Sequence, residues 1–137
     1  MLLTKECDYG VRIIRVLSDA RKKTVKKICD TEYIPEKYAY KILKKLEKAG
    51  FVQSIRGRDG GYYLAKPLDT FTLYDIACAV DENLFVFECL RQEVNCPHKN
   101  PDISAPCTAH LEFERIQNIL VSEMQSKTIQ EMLNLPD

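Results

Sequence analysis

Apolar residues recur at helical spacing along the N-terminal part of the chain. Val11, Ile14 and Leu17, joined by Ile13 and Val16, give a first helix its apolar face. Thr4 is placed to cap it, and Glu6 and Asp8 fall in the opening turn, where carboxylates favour the helix dipole. The pattern fades around Arg21–Lys23. A short second helix follows over Val25–Thr31 with Ile28 facing inward, and Thr31–Ile34 is a turn. Pro35–Gly50 predicts a third helix, since proline suits the first helical position and glycine the residue past the end. Ala39, Ile42, Leu43, Leu46 and Ala49 keep the i, i+3, i+4, i+7 rhythm. Lys37, Tyr40, Lys41, Lys44, Lys45 and Lys48 take the other face.

The period then changes. Phe51–Ile55 and Tyr62–Lys66 are short β-prone runs flanking Arg-Gly-Arg-Asp-Gly-Gly, whose glycines can take the positive φ of a tight reversal. A β-hairpin is expected, with Arg56 and Arg58 at its tip. Beyond Pro67, Thr72–Asp75 reads as a capping box opening a helix through about Val80. Leu84–Glu88 is apolar and fits an extended or a helical segment. Pro97, Pro101 and Pro106 make Cys89–Cys107 a loop. Thr108 to about Ser126 is a long amphipathic helix with Leu111, Ile116, Ile119, Leu120 and Met124 along one side. It suits packing against its own domain or a second copy of the chain. Thr128–Leu135 is a short terminal helix or tail. The fold class is therefore mainly α with a small β-hairpin wing: a winged helix-turn-helix over 1–68, then a loop and a long dimerisation helix over 69–137.

Charge sharpens this division. The net charge is zero, yet residues 1–68 hold 16 Lys/Arg against 8 Asp/Glu, a net +8, and residues 69–137 hold 4 against 12, a net −8. A basic half suits a polyanion such as DNA and an acidic half does not. In winged modules the helix after the turn lies in the major groove and phosphate contacts fix its register. No apolar run approaches the roughly 20 residues that span a bilayer, and the start lacks a signal-peptide core, so a cytoplasmic protein without membrane contact is expected. No nucleotide motif, Ser/His/Asp arrangement or substrate signature appears, which argues against an enzyme.

Six cysteines in such a chain point to metal or thiol chemistry more than to disulfides. Cys89-x6-Cys96-x10-Cys107-x2-His110 brings three thiols and an imidazole together. Thiolates suit iron–sulfur clusters or zinc, although the paired knuckles usual for zinc are missing. Unconnected loop thiols are the plainer alternative. Cys7, Cys29 and Cys78 lie within helices and are expected to be small buried hydrophobes.

With these features together, the chain resembles the bacterial regulators of the IscR and NsrR type, the Rrf2 superfamily, which also includes RirA and the cluster-free CymR. Leu3-Thr-Lys5 with Asp8-Tyr9, Ile34-Pro-x-x-Tyr38 with Ile42-Leu43 and Leu46, Arg56-Gly-x-x-Gly-Gly-Tyr62-x-Leu-Ala and the three late cysteines carry the resemblance. It implies a homodimeric transcription factor, more often a repressor, on pseudo-palindromic double-stranded promoter DNA. An iron–sulfur cluster on Cys89, Cys96 and Cys107 would tune its affinity in response to redox state, nitric oxide or cluster status. For the fourth ligand the resemblance offers Asp8 of the partner subunit, favoured here together with a four-iron cluster, and His110 as the rival, with two-iron chemistry open. The Cys96–Cys107 gap is longer than the family's usual spacing. On the DNA side it implies Glu36, Lys37, Tyr40 and Lys41 in the groove, and Lys44 and Lys45 on phosphates. Arg56 and Arg58 would reach the minor groove or phosphate from the wing. The other readings are a cluster-free thiol- or zinc-containing DNA-binding regulator and, from another class, an iron–sulfur carrier or redox protein.

Overall fold

Threonines and a proline decide where most helices of this chain begin. Thr4 accepts the Cys7 N–H at 3.3 Å and starts α1 (Lys5–Val16); Thr24 accepts the Lys27 N–H at 3.1 Å and starts α2 (Val25–Glu32). Pro35, with no side-chain cap bond, stands one position before α3 (Glu36–Lys48), at the N-cap rather than the first helical position. Thr72 and Thr128 close reciprocal capping boxes with Asp75 and Glu131, opening α4 (Leu73–Val80) and α6 (Ile129–Met132). Between α3 and α4 lies an antiparallel hairpin of β1 (Val52–Ile55) and β2 (Gly61–Leu64), paired Val52 with Leu64 through Ile55 with Gly61. The long helix α5 (Thr108–Gln125) precedes α6. This computed structural model describes residues 3–99, 102 and 105–137; Met1 and Pro101 lie outside them.

The core fills the space between α1, α2, α3 and α4. Ile13, Ile14, Leu17, Ile28, Ile42, Leu43 and Leu46 are fully buried, at the positions their periodicity assigned, and Ile76 of α4 is buried with them. Ala49 differs: it is exposed at the C-cap of α3, where the chain turns out through Gly50 (φ +83°). Phe71 and Ile129, also fully buried, bring the segment after the wing and the terminal helix into the same core, and Phe71 packs on Phe51 at 4.7 Å. Gly10 lets α1 approach α4, since a Cβ there would stand 3.1 Å from Ile76 Cγ2.

The largest departure from the periodic reading follows α1. The helix stops at Val16 instead of fading near Lys23. Ser18 caps the Arg15 carbonyl, Ala20 turns the chain in the left-handed region (φ 61°), and Asp19 takes the Arg21 N–H. Lys23 then pairs with Tyr62, exchanging N–H···O bonds of 2.9 and 2.8 Å, and the Lys22 ammonium donates to the Asp59 carbonyl. The α1–α2 connection is thus a third edge of the wing. The strands themselves are shorter than the apolar runs, Val52–Ile55 and Gly61–Leu64.

Leu84–Phe87 is neither strand nor helix but irregular chain leading into a 3-10 turn at Glu88–Leu90. It is clipped to α5, because Gln117 accepts the Val86 N–H at 2.8 Å and donates to the Leu84 carbonyl at 2.9 Å. Phe87 stacks on Phe113 at 3.9 Å. Along α5 only Met124 is buried; Leu111 and Ile119 are about half exposed. No helix is long and apolar enough to cross a membrane among the described residues.

Candidate functional site

Two sites emerge, one basic and one sulfur-rich. At roughly 100° per residue, Lys37, Lys41, Lys44 and Lys48 share the outer face of α3. Glu36, Tyr40 and Glu47 turn toward the wing, and Tyr38 and Lys45 toward α1. Glu47 braces the wing by accepting from Ser54 N at 3.2 Å and Ser54 Oγ at 2.6 Å. Helix and hairpin enclose an open cleft whose walls include Glu36, Tyr40 and Lys44 on one side and Ile55 and Arg56 on the other. Tyr40 is half exposed, and Lys37, Lys44, Arg56 and Arg58 are exposed. Lys26, from the start of α2, also lines this cleft; its place in the basic half was visible in the sequence, its direction was not.

Lys41 and Lys45 differ from the other lysines. Both ammoniums bind the Glu6 carboxylate, at 2.6 and 2.8 Å, and Lys45 also donates to the Val80 carbonyl at 2.7 Å. The two lysine hydrogen bonds, Lys41's first, hold the Glu6 carboxyl below its ordinary range. A depressed folded-state pKa stabilises the fold above the unfolded value near 4.5 and loses that contribution as pH falls through the folded value. Glu6→Gln is therefore expected to flatten the acid limb of stability below about pH 4.5, measured by urea unfolding across pH. Glu112 and Glu131, also lowered, share this window and Asp19 acts below its own ordinary value near 3.8, so the acid limb is reduced and not abolished. An unchanged acid limb would remove Glu6 from the network.

The second site is a cavity of about 360 Å³ at the start of α5, with Cys89, Cys96, Cys107 and His110 in its wall. All three thiols are free and half-buried. Cys107 is the N-cap residue of α5, at the positive end of the helix dipole, which suits an anionic sulfur. His110 follows one turn later. Apart from these groups the wall is largely apolar, with Phe113 and Leu111. His98, which spacing did not single out, lines the same cavity. Among the described residues no three donors stand in ready-made geometry around a single ion; they ring a space. Three thiols and an imidazole around one cavity fit a sulfur-ligated cluster by donor chemistry.

Asp8 is not in this cavity. It lies on the exposed side of α1, its carboxylate 3.0 Å from Arg12 Nε, and Arg12 also donates to the Glu32 carbonyl at 3.1 Å. Cys7 and Cys29 are buried, and burial pushes both thiols up. Cys78 corrects expectation: it is exposed, because Ile76, Ala77 and Val80 turn the opposite side of α4 to the core.

A family model described as Rrf2, iron-dependent transcriptional regulator, matches residues 3–135. The transcriptional regulator NsrR of Shouchella clausii is 31% identical over 104 residues, 74% of this chain and 70% of that protein. Among solved structures, T. potens IscR superimposes with a TM-score of 0.73 at 21% identity, covering 98% of this chain and 87% of that one. CymR, the global cysteine regulator of B. subtilis, gives 0.73 at 23% identity, covering 100% and 99%. The two structural likenesses establish the fold. Together with the family match, the basic helix and the braced wing place the chain plainly: it belongs to the Rrf2 family of DNA-binding transcriptional regulators, which are not enzymes.

Proposed function

We propose that this protein is a cytoplasmic homodimeric regulator, acting mainly as a repressor, whose grip on promoter DNA is set by an iron–sulfur cluster on Cys89, Cys96 and Cys107. The observation that carries the reading is the single cavity walled by those three thiols, on a chain whose other half presents a wing and a basic helix. A cluster is favoured over zinc because the donors surround a space, whereas a tetrahedral ion gathers sulfurs about 2.3 Å from one point. Four-iron chemistry is favoured, with Asp8 of the partner subunit as fourth ligand and His110 as its rival. Asp8 faces outward, free of its own chain's cavity, as a ligand offered across a dimer must. The exposed Leu111 and Ile119 give α5 an apolar face for that dimer.

A bound cluster supplies a link that oxidants or nitric oxide can remove. The chain supplies the two ends. The cavity lies on α5, and Asp8 lies on α1, packed against α3 and α4. Tying α1 to the partner's loop fixes the separation of the two wings, and releasing it changes that separation. On DNA, Glu36, Lys37, Tyr40 and Lys41 face the groove, Lys44 and Lys45 phosphates, and Arg56 and Arg58 the flanking minor groove or phosphate. Lys41 and Lys45 must leave or share Glu6 to do so.

The test is protein purified without oxygen, with iron and sulfide counted per subunit, absorbance and Mössbauer spectra, and an operator selected from a random duplex library before and after cluster removal. A brown protein whose DNA affinity changes on cluster loss is expected. Colourless, iron-free protein that still selects an operator would move the three cysteines to thiol or zinc chemistry. The free, half-buried thiols favour the thiol form of that outcome.

A further inference from the structure

We infer that Lys5 on α1, with Lys37 reaching from the groove-facing edge of α3 to the same Tyr38 ring, forms a phosphate grip on the flank of α3 opposite the wing, holding the DNA strand that the wing does not reach. This rests on the DNA-binding reading above and adds a contact from outside the helix-turn-helix. Both ammoniums are held over the Tyr38 ring, Lys5 Nζ at 6.0 Å and Lys37 Nζ at 5.1 Å from its centroid. Lys5 also stands 5.9 Å from the Tyr9 centroid, and the two rings pack at 5.8 Å. Tyr9 is buried and Tyr38 half-buried, so the aromatic platform is fixed while both lysines are exposed.

Two features make this an anion site instead of ordinary solvated charge. Neither lysine pairs with a carboxylate among the described residues, whereas Lys41 and Lys45 beside them are held by Glu6. The flank's unpaired positive charge is therefore on Lys5 and Lys37, with Asp81 and Glu82 lining the hollow beside Lys5. Two cations sharing one ring also repel each other, and an anion bridging them relieves that repulsion. Cation–π contact meanwhile limits how far each ammonium roams, so less freedom is lost on binding.

The geometry says which anion. Tyr38 lies on the α1 side of α3 and Glu36, Tyr40 and Glu47 on the wing side. With the outer face of α3 in a major groove about 12 Å wide, the wing meets one backbone and Lys5 the other. Lys5 also precedes Asp8 by three residues on the same helix, hence on neighbouring surface.

The experiment measures salt dependence of binding to the selected operator for wild type, Lys5→Gln and a Lys127→Gln control in the acidic half. The Lys5 variant should lower the slope of log affinity against log salt by about 2, one phosphate per half-site in a dimer. Base preference should stay unchanged, and ethylation of the phosphates beyond the α1 flank should cease to interfere with binding. Lys127→Gln should match wild type. An unchanged slope, or weaker binding without a slope change, overturns the grip. Wild type that selects no duplex would instead defeat the DNA reading itself, and this inference with it.

Discussion

Gly61→Ala should cost about 3 kcal/mol of folding stability, by overpacking and loss of two backbone bonds, and should sharply weaken DNA binding. A Cβ at Gly61 would stand 2.5 Å from the Lys23 carbonyl oxygen and 2.9 Å from its carbon. Both are backbone atoms, so no side chain can swing aside. The wing must peel from the α1–α2 connection, breaking the Lys23–Tyr62 pair and carrying Arg56 and Arg58 out of place. Gly57→Ala is the informative comparison. Its φ is +112° and no atom lies within 4 Å of the added Cβ, so only backbone strain of about 1–2 kcal/mol applies. Urea unfolding and gel-shift titration of the two variants should separate steadily. A Gly61→Ala protein as stable as wild type would show that the wing edge is loose.

The second large effect concerns the cavity. Cys96→Ser should abolish iron and sulfide incorporation and the visible absorbance, yet leave stability of the iron-free chain within about 1 kcal/mol, as for an ordinary surface change. Cys96 lies on irregular chain outside the core, so its sulfur serves the site and not the packing. Cys78→Ser, on the outer side of α4, should keep full iron content. For the fourth ligand, Asp8→Ala should shorten cluster lifetime in air and alter operator affinity, while His110→Ala does little. The opposite pattern would assign the position to His110, and loss only in His98→Ala would assign it to the residue that spacing overlooked.

What could be read from the chain was what neighbouring residues decide. Thr72 with Asp75, the burial of Ile42, Leu43 and Leu46, and the Gly-Gly pair of the wing depend on positions a few residues apart. Even there the reason was incomplete: at Gly60 and Gly61 the demand is set by backbone atoms a Cβ would strike, among them Lys23, far away in sequence. The early end of α1 was hidden because Arg21–Lys23 is polar in a helix tail and equally polar as a strand edge. Charge counting placed Lys41 and Lys45 on a basic face, but only the packing of α1 on α3 showed that Glu6 holds both. The cavity was legible as a spacing of cysteines, and His98 was not, since nothing in Cys-Pro-His marks which way the ring turns.

The Thr72–Thr128 bridge and the buried Ile129 carry a consequence for synthesis of the chain. Ile129 N–H bonds the Phe71 carbonyl at 2.9 Å and Gln130 N–H the Leu68 carbonyl at 3.1 Å, so the terminal helix closes the core shared with Phe51. A nascent chain therefore presents its basic helix and wing well before their hydrophobic support is finished. A chain cut before Ile129 would leave the core behind the basic helix and wing open.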